Sequence, residues 1–192
     1  MAKPRLAVVI GSIRPNRFAD HPAGWITEMA RSHGGFEVEL VDLKDYPMPL
    51  FAEKASPAAQ PSENATAREW QKKVAEFDAF VFTAAEYNHG PTPVLKNALD
   101  YASGEWKRKP VAFVGYGGVG GARSVEQLRL VCIELHMAPI RDAIHIQMPV
   151  YTAVTKEGKK LSDFDYLNKG ASNMLDQLAW WTDALKAARE KG

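Results

Sequence analysis

The first polar segment of the chain follows an apolar run directly and concentrates groups that bind anions. Ser12 and Asn16 carry short hydrogen-bonding side chains, and Arg14 carries a guanidinium that can bind an anion through two parallel hydrogen bonds. Arg17 carries a second guanidinium, and the backbone N–H groups of Asn16, Arg17 and Phe18 can converge on the same anion. This pattern predicts a phosphate-binding loop, and the competing interpretation is a solvated polar turn.

A second segment with unusual chemistry follows the apolar run 79–83. Glu86, Tyr87, Asn88 and His89 place a carboxylate, a phenol ring, an amide and an imidazole side by side. Such a set suits a flat ligand with a hydrogen-bonding edge, such as an isoalloxazine ring. His89 has no partners in the sequence that would make it a general base or a metal ligand, so we predict neither a catalytic residue nor a metal site.

The third segment is a loop in which five of seven residues, 115–121, are glycine. Glycines allow backbone N–H groups to approach a ligand closely and allow positive φ angles. Gly115, Tyr116, Gly117 and Gly118 are therefore candidate ligand contacts. A glycine-rich loop is also found in dinucleotide-binding folds, but no acidic residue ends a following strand at the required spacing, which disfavours that interpretation.

Apolar runs and helical patterns alternate along the chain. Apolar runs, which are typical of strands covered on both faces, predict strands at 6–10, 79–83 and 110–114, and two further strands are predicted at 36–43 and 143–146. Helical patterns lie between them, the second beginning at a capping box from Thr66 to Glu69, and a long helix with Leu167 and Leu185 closes the chain. Four prolines in segment 44–64 argue against a regular element there.

This alternation predicts one α/β domain over residues 1–192, built from parallel βαβ units. Five such strands commonly wind in the flavodoxin-like order 2-1-3-4-5, a doubly wound parallel sheet. In that order strands 1, 3 and 4 are neighbours. The three unusual loops then meet at the carboxyl edge of the sheet, where ligands of such folds bind.

Composition excludes several classes of partner. The net charge is +1, from 24 Lys+Arg and 23 Asp+Glu, and no basic block indicates nucleic acid. No apolar stretch is long enough to span a bilayer, and the run 6–10 is too short for the core of a signal peptide. We therefore predict a cytoplasmic protein without membrane or nucleic-acid partners, in which the single cysteine, Cys132, is a small buried hydrophobic residue.

The three loops together resemble the NADPH-dependent FMN reductase family, the flavodoxin-like quinone and chromate reductases. The most specific part is Glu86-Tyr87-Asn88-His89-Gly90, followed by Pro93-x-Leu95-Lys96-Asn97-Ala98-Leu99-Asp100. The resemblance implies that the FMN phosphate is held by Ser12, Arg14, Asn16, Arg17 and the backbone at Phe18. It implies that Glu86, Tyr87, Asn88 and His89 border the flavin ring and that Gly115, Tyr116, Gly117 and Gly118 lie at its pyrimidine end. Ala85 stands where the family commonly has proline.

The resemblance also implies a function. It predicts an FMN-dependent oxidoreductase that takes a hydride from NADPH or NADH and passes electrons to small acceptors such as quinones, chromate, azo compounds or free flavin, by a ping-pong mechanism. It further implies a homodimer or homotetramer.

Two other functions remain open from the residues. A flavodoxin-type electron carrier would bind FMN without a small-molecule substrate of its own. Such carriers tend to be strongly acidic, and the balanced charge of this chain disfavours one. A flavin-free binding module on the same fold is the third interpretation, because a fold alone does not determine function.

Overall fold

The computed structural model describes residues 3–191 and contains a five-stranded parallel sheet with the order β2-β1-β3-β4-β5. Its strands are β1 (Arg5–Ile10), β2 (Glu37–Asp42), β3 (Ala79–Ala85), β4 (Pro110–Tyr116) and β5 (Ala138–Ile146). The predicted fold class and strand order are confirmed.

Six α-helices accompany the strands within the described residues: α1 (Asp20–His33), α2 (Ala65–Ala75), α3 (Pro93–Asp100), α4 (Ala122–Glu134), α5 (Met148–Lys156) and α6 (Asp165–Glu190). Single 3₁₀ turns occur at Leu43–Asp45, Gly104–Trp106 and Leu161–Asp163. No helix within residues 3–191 combines the length and the apolar composition that crossing a bilayer requires.

The sheet is covered on both faces, which explains its continuous apolar strands. Along β1, Leu6 and Val8 pack with α1 and α6, whereas Ala7 and Val9 pack with α2, α3 and α4. Every residue of β3 and β4 is buried. Because successive side chains of a strand point to opposite faces, a strand buried on both sides needs apolar residues at every position.

The start of helix α2 differs from the sequence prediction. Helix α2 begins after Asn64, whose side chain accepts a hydrogen bond from the backbone N–H of Ala67, so the predicted Thr66–Glu69 capping box is wrong. Helix α1 begins at Asp20, and Pro22 falls in its first turn. A proline is tolerated there because the first backbone N–H groups of a helix have no partner within the helix.

Three further elements were absent from, or shorter in, the sequence prediction. Strand β5 begins at Ala138 rather than at residue 143, with an irregular register opposite Val111 and Phe113. Helix α5 was not predicted at all. The 3₁₀ turn Leu43–Asp45 reaches into the segment expected to lack regular structure, where the Asp42 side chain caps it by accepting from the Lys44 N–H.

Strand pairing brings the three unusual loops together. Ile10 pairs with Thr83, and Thr83 pairs with Val114, so β1, β3 and β4 end at one edge. The Gly11 N–H donates to the Thr83 hydroxyl at 3.1 Å, and the Thr92 hydroxyl donates to the Gly11 carbonyl. A Cβ on Gly11 would lie 2.3 Å from the Thr83 carbonyl oxygen, so only glycine allows the loop after β1 to lie this close to β3.

Candidate functional site

A cavity of about 190 Å³ lies at this edge, between the loops that follow β1, β3 and β4. Nine predicted site residues line it: Ser12, Arg14, Asn16, Arg17, Phe18, Glu86, Tyr87, Tyr116 and Gly117. Ala85 and Tyr151 complete the lining. The predicted residues Asn88, His89, Gly115 and Gly118 do not line it.

The two arginines of the first loop have different environments. The Arg17 side chain is only 5% exposed and is held by two carboxylates. Its Nε donates to Asp20 at 2.7 Å and its Nη1 donates to Asp42 at 2.8 Å, while Nη1 also donates to the Ser12 carbonyl. The hydrogen bond to Asp42 keeps the pKa of Arg17 above its ordinary value although burial acts against the charge. The N–H groups of the Arg17 guanidinium therefore donate to other groups of the protein.

Asp42 is the other half of this contact. Burial of its carboxyl group acts to raise its pKa, but the hydrogen bonds from Arg17 and from the Lys44 N–H outweigh burial, so that the pKa lies below its ordinary value. Asp42 is the last residue of β2. The ion pair thus fastens the loop after β1 to the neighbouring edge strand.

Arg14, in contrast, is exposed at the mouth of the cavity. Among residues 3–191, no carboxylate lies within ion-pairing distance of its guanidinium, whose Cζ is 6.0 Å from the centre of the Tyr87 ring. Ser12 lies beneath it, 2% exposed, with its hydroxyl 3.4 Å from the Tyr87 hydroxyl. The mouth of the cavity therefore carries a cation and a hydroxyl that an anionic ligand can bind.

An aromatic wall closes the side of the cavity next to α1 and α5. The Phe18 ring lies 4.6 Å from that of Tyr151 and 5.4 Å from that of Tyr116, measured between ring centres. Burial raises the pKa of Tyr116 well above its ordinary value, so its phenol is neutral. This wall is apolar and offers flat contact surfaces.

The loop after β3 contains a tight turn. The N–H of Tyr87 donates to the Gly90 carbonyl at 2.9 Å, and the N–H of Gly90 donates back to the Tyr87 carbonyl at 3.0 Å. The two residues between them have positive φ angles, 48° at Asn88 and 72° at His89. This left-handed conformation is uncommon for residues other than glycine, although asparagine and histidine adopt it more often than most. Neither residue lines the cavity. Asn88 instead lines an adjoining cavity with Gln127 of α4.

Helix α4 holds this turn in place. Arg123 donates from its Nε to Glu86 at 2.5 Å and from its backbone N–H at 3.1 Å, and its Nη1 lies 2.7 Å from His89 Nε2. Because a guanidinium can only donate, His89 Nε2 must accept this hydrogen bond. Gln127 donates to the His89 carbonyl at 2.7 Å. Both the side chain and the backbone of His89 are therefore fixed by α4.

Glu86 is almost fully buried at the side chain, with 4% exposed. Burial acts to raise its pKa, but the side-chain and backbone hydrogen bonds from Arg123 outweigh burial and hold the pKa below its ordinary value. The carboxylate is thus charged and neutralised by one arginine.

The glycines after β4 serve mainly to fold their own loop. A Cβ on Gly115 would lie 2.7 Å from the Gly120 carbonyl oxygen, and one on Gly121 would lie 2.5 Å from the Tyr116 nitrogen. Gly121 also has a φ of 71° and precedes α4. Gly118 faces open space. Of this loop only Tyr116 and Gly117 reach the cavity.

Several functional residues were missed by the sequence analysis. Tyr151 was missed because helix α5 was not predicted, although its buried residues Val150, Ala153 and Val154 have helical spacing. Asp42 and Arg123 were missed because their partners, Arg17 and Glu86, lie far away in sequence and are brought close only by the fold. Within residues 3–191, no group of His, Cys, Asp or Glu side chains is arranged to hold a metal ion.

Comparison with known proteins identifies the family. A family model described as NADPH-dependent FMN reductase matches residues 4–148. The chain belongs to the NADPH-dependent FMN reductase family. This membership confirms the resemblance, the oxidoreductase class, and FMN and NAD(P)H as the cofactors of the family.

Curated relatives of this FMN reductase family member carry consistent names. An NAD(P)H-dependent FMN reductase of Schizosaccharomyces pombe is 36% identical over 147 residues, covering 73% of this chain and 72% of that one. A protein of the same name from Nectria sp is 32% identical, covering 92% of this chain and 87% of the relative. A 2-hydroxy-1,4-benzoquinone reductase of Burkholderia sp is 33% identical, covering 68% and 71%.

A solved structure supports the fold. The flavoenzyme NAD(P)H:acceptor oxidoreductase of Paracoccus denitrificans superposes with a TM-score of 0.75, covering 94% of this chain and 98% of that chain. Its sequence identity is 20%, so this similarity bears on the fold alone.

Proposed function

We propose that this reductase binds FMN in the cavity at the carboxyl edge and passes electrons from NAD(P)H to quinones or similar small electrophilic acceptors, such as chromate, azo compounds or free flavin. The observation that carries the proposal is the different state of the two arginines. Arg17 is neutralised by Asp20 and Asp42, whereas Arg14 has no carboxylate partner among the described residues and lies at the cavity mouth.

The phosphate of FMN fits the first loop. Arg14 would supply the charge, and the Ser12 hydroxyl with the backbone at Asn16 and Phe18 would supply further hydrogen bonds. Arg17 would act by holding the loop through Asp42 rather than by using its side chain on the phosphate. Asn16 supports this arrangement, since its φ of 50° turns the backbone sharply within the loop.

The flavin ring fits the remaining walls. Tyr87, Tyr116 and Gly117 offer flat or open surfaces, and Glu86 brings no net charge because Arg123 neutralises it. Asn88, His89 and Gly118 would border the ring from the rim, and Gly115 would shape the loop. Bound FMN would supply the redox chemistry, with N5 as the hydride acceptor and the reduced ring as the electron donor to the acceptor. The protein supplies orientation and a preformed electrostatic environment, and we assign no catalytic acid or base.

Ping-pong kinetics is the expected consequence, because one open ring face serves the nicotinamide and the acceptor in turn. Anaerobic mixing of FMN-loaded protein with NADPH or NADH should bleach the oxidised-flavin absorbance, and a quinone added afterwards should restore it. Parallel lines in double-reciprocal plots are expected with both substrates varied.

The same experiment tests the electron-carrier alternative. If neither nicotinamide bleached the flavin while a separate reductase protein did, the chain would be a carrier. A net charge of +1 gives a carrier no acidic surface for a basic partner, and this favours the enzyme.

We also propose a homodimer or homotetramer. Helix α6 exposes Trp180 at 65% and Trp181 at 38%, and α4 exposes Leu130 at 70% and Ile133 at 59%. Apolar groups of this size favour burial against a second copy. Light scattering should return a multiple of 21.2 kDa, and a monomer mass would refute the proposal. The cytoplasm stays our proposed location, which fractionation of the host cell would test.

A further inference from the structure

A second cavity, of about 260 Å³, adjoins the proposed FMN cavity. The two cavities share Ser12, Arg14 and Tyr87. The walls of the second cavity beyond these three residues are mostly apolar and include Ile13, Met48, Leu50, Pro93 and Val94. It lies on the α3 side of Arg14, away from the aromatic wall of Phe18, Tyr116 and Tyr151.

The mouth of this cavity exposes two large apolar side chains, Leu50 at 78% and Ile13 at 50%. Leu50 is exposed because hydrogen bonds fix the backbone at both of its neighbours, Pro49 and Phe51. The side-chain amide of Asn97 donates to the Pro49 carbonyl at 2.8 Å and accepts from the Phe51 N–H at 2.8 Å. Leu50 is thus held at the opening by a fixed backbone on both sides instead of turning inward.

The two polar side chains in the apolar part of the cavity already have hydrogen-bond partners within the protein. The Thr92 hydroxyl donates to the Gly11 carbonyl and accepts from the Leu95 N–H, and the Asn97 amide is occupied by Pro49 and Phe51. The remaining polar side chains of the lining lie at the end shared with the FMN cavity, at Ser12, Arg14 and Tyr87. A ligand that fits this division has a polar head at the shared end and an apolar group at the other.

We propose that this second cavity binds the apolar substituent of the electron acceptor, and that the preferred acceptors are alkyl- or aryl-substituted quinones rather than unsubstituted quinones or small inorganic anions. The proposal rests on the proposed function: Ser12 and Arg14 would hold the FMN phosphate, and Tyr87, which lines both cavities and is proposed to border the flavin ring, would place the acceptor's head group beside that ring. Met48 and Leu50 are then specificity-determining residues. Recognition is mainly by burial of apolar surface, since five of the residues that line this end are apolar and the polar side chains of Thr92 and Asn97 already have partners.

The shape of the cavity favours a small molecule over a second copy of the chain. Its inner walls are formed by Ser12 and Thr92, which are 2% and 1% exposed, so the cavity extends below the surface. It is also continuous with the proposed cofactor site. A protein surface would cover Leu50 and Ile13 without filling the space behind them.

The test is a series of 1,4-benzoquinones that carry linear alkyl chains of increasing length. With FMN-loaded wild-type protein we expect kcat/KM to rise about fourfold for each methylene buried, until the cavity is filled. In Leu50→Ser and Met48→Ser this dependence should flatten, while kcat/KM for unsubstituted benzoquinone and the Kd for FMN stay unchanged. Leu40→Ser is the matched control, because Leu40 is also an exposed leucine, at 41%, but lies on β2, outside both cavities.

Three results would overturn the proposal. A wild-type kcat/KM that does not depend on chain length removes the apolar subsite. A weaker Kd for FMN in Leu50→Ser would make the cavity part of the cofactor site. A changed oligomeric mass in Leu50→Ser, with the chain-length dependence intact, would make Leu50 an interface residue.

Failure of the proposed function gives a different pattern. If NAD(P)H did not bleach bound FMN, the proposed reductase activity would be wrong. Calorimetry with a hexyl-substituted quinone would still decide the subsite, since wild type should bind it at least tenfold more tightly than Leu50→Ser, and equal binding would refute it.

Discussion

Arg17 reaches from the loop after β1 to Asp42, the last residue of β2, and its Nη1 lies 2.8 Å from Asp42 Oδ1. A second guanidinium nitrogen contacts the other carboxylate oxygen, so the pair is bidentate. The loop that contains Arg14 is therefore held by an ion pair that is buried on the arginine side. This contact connects stability to the proposed cofactor site.

Breaking this pair should destabilise the fold. Arg17→Met leaves a partly buried carboxylate without its partner, and we expect the free energy of unfolding to fall by about 3 kcal/mol. Asp42→Asn should cost about 2 kcal/mol, the scale of a hydrogen bond to a charged group. Urea unfolding at neutral pH measures both. Arg141→Met, at a side chain that is 91% exposed, is the control and should change little.

The contribution of Asp42 should depend on pH with a defined sign. Its folded-state pKa lies below the ordinary value of about 3.9, so its contribution is fully present above that value and is lost as the pH falls through the folded pKa. The difference in unfolding free energy between wild type and Asp42→Asn should shrink as urea unfolding is repeated toward pH 3. A difference that stays constant or grows would contradict the ion pair.

Arg14→Ala should weaken FMN binding by about 1.5 to 3 kcal/mol, the range for a hydrogen bond to a charged group. The fold should be unaffected, because Arg14 is exposed and has no carboxylate partner among the described residues. Titration of apo-protein with FMN measures the change. Riboflavin, which lacks the phosphate, should bind wild type and Arg14→Ala equally weakly, and equal affinity of wild type for FMN and riboflavin would remove the phosphate assignment.

Arg123 should act on FMN binding through the turn at residues 87–90. Arg123→Met leaves the buried Glu86 carboxylate unpaired and frees His89, so both stability and FMN affinity should fall, each by about 1 to 3 kcal/mol. The double variant with Glu86→Gln should recover part of the stability, because the unpaired charge is gone. FMN affinity should stay low in the double variant, because His89 still lacks its hydrogen bond from Arg123. Additive losses of stability would mean that Glu86 and Arg123 are not coupled.

Lys109 offers a test at high pH. It is 8% exposed, and its ammonium donates to the Val74 carbonyl at the end of α2. Burial, with a smaller effect of Arg189, lowers the pKa of Lys109 to about 8. Between that value and the ordinary one the unfolded chain binds the extra proton, so stability should rise with pH, by at most ~1.4 kcal/mol per pH unit. Unfolding of wild type compared with Lys109→Met from pH 7 to 10 measures this; a difference independent of pH would refute the shift.

The central strands could be predicted because burial on both faces leaves a continuous apolar run, as in β3 and β4. The edge strand β5 is only partly buried and is interrupted by Arg141 and Asp142, so the pattern revealed only its last residues. Helix α5 is short and has Pro149 in its first turn, which resembles a loop in sequence.

The position of the candidate site at the carboxyl edge could be predicted from the strand order, but the contacts of its individual residues could not all be predicted. Arg14 and Arg17 look similar in sequence, and the contacts of Arg17 with Asp20 and with Asp42 on a neighbouring strand distinguish the two. Asn88 and His89 were expected at the flavin ring. Both residues have positive φ angles and neither lines the cavity: Asn88 lines an adjoining cavity, and His89 is hydrogen-bonded to Arg123.

The cavity joins Ser12, just after the first strand, to Tyr151, beyond the last one. The connections between all the strands of the sheet must therefore be formed before the walls of the cavity can come together. A nascent chain that ends before α5 lacks the Tyr151 wall, and a chain whose β5 has not paired cannot place it. Cofactor uptake then marks the end of folding rather than its beginning, and flavin added during refolding should change the final yield of holoprotein but not the rate at which the sheet forms.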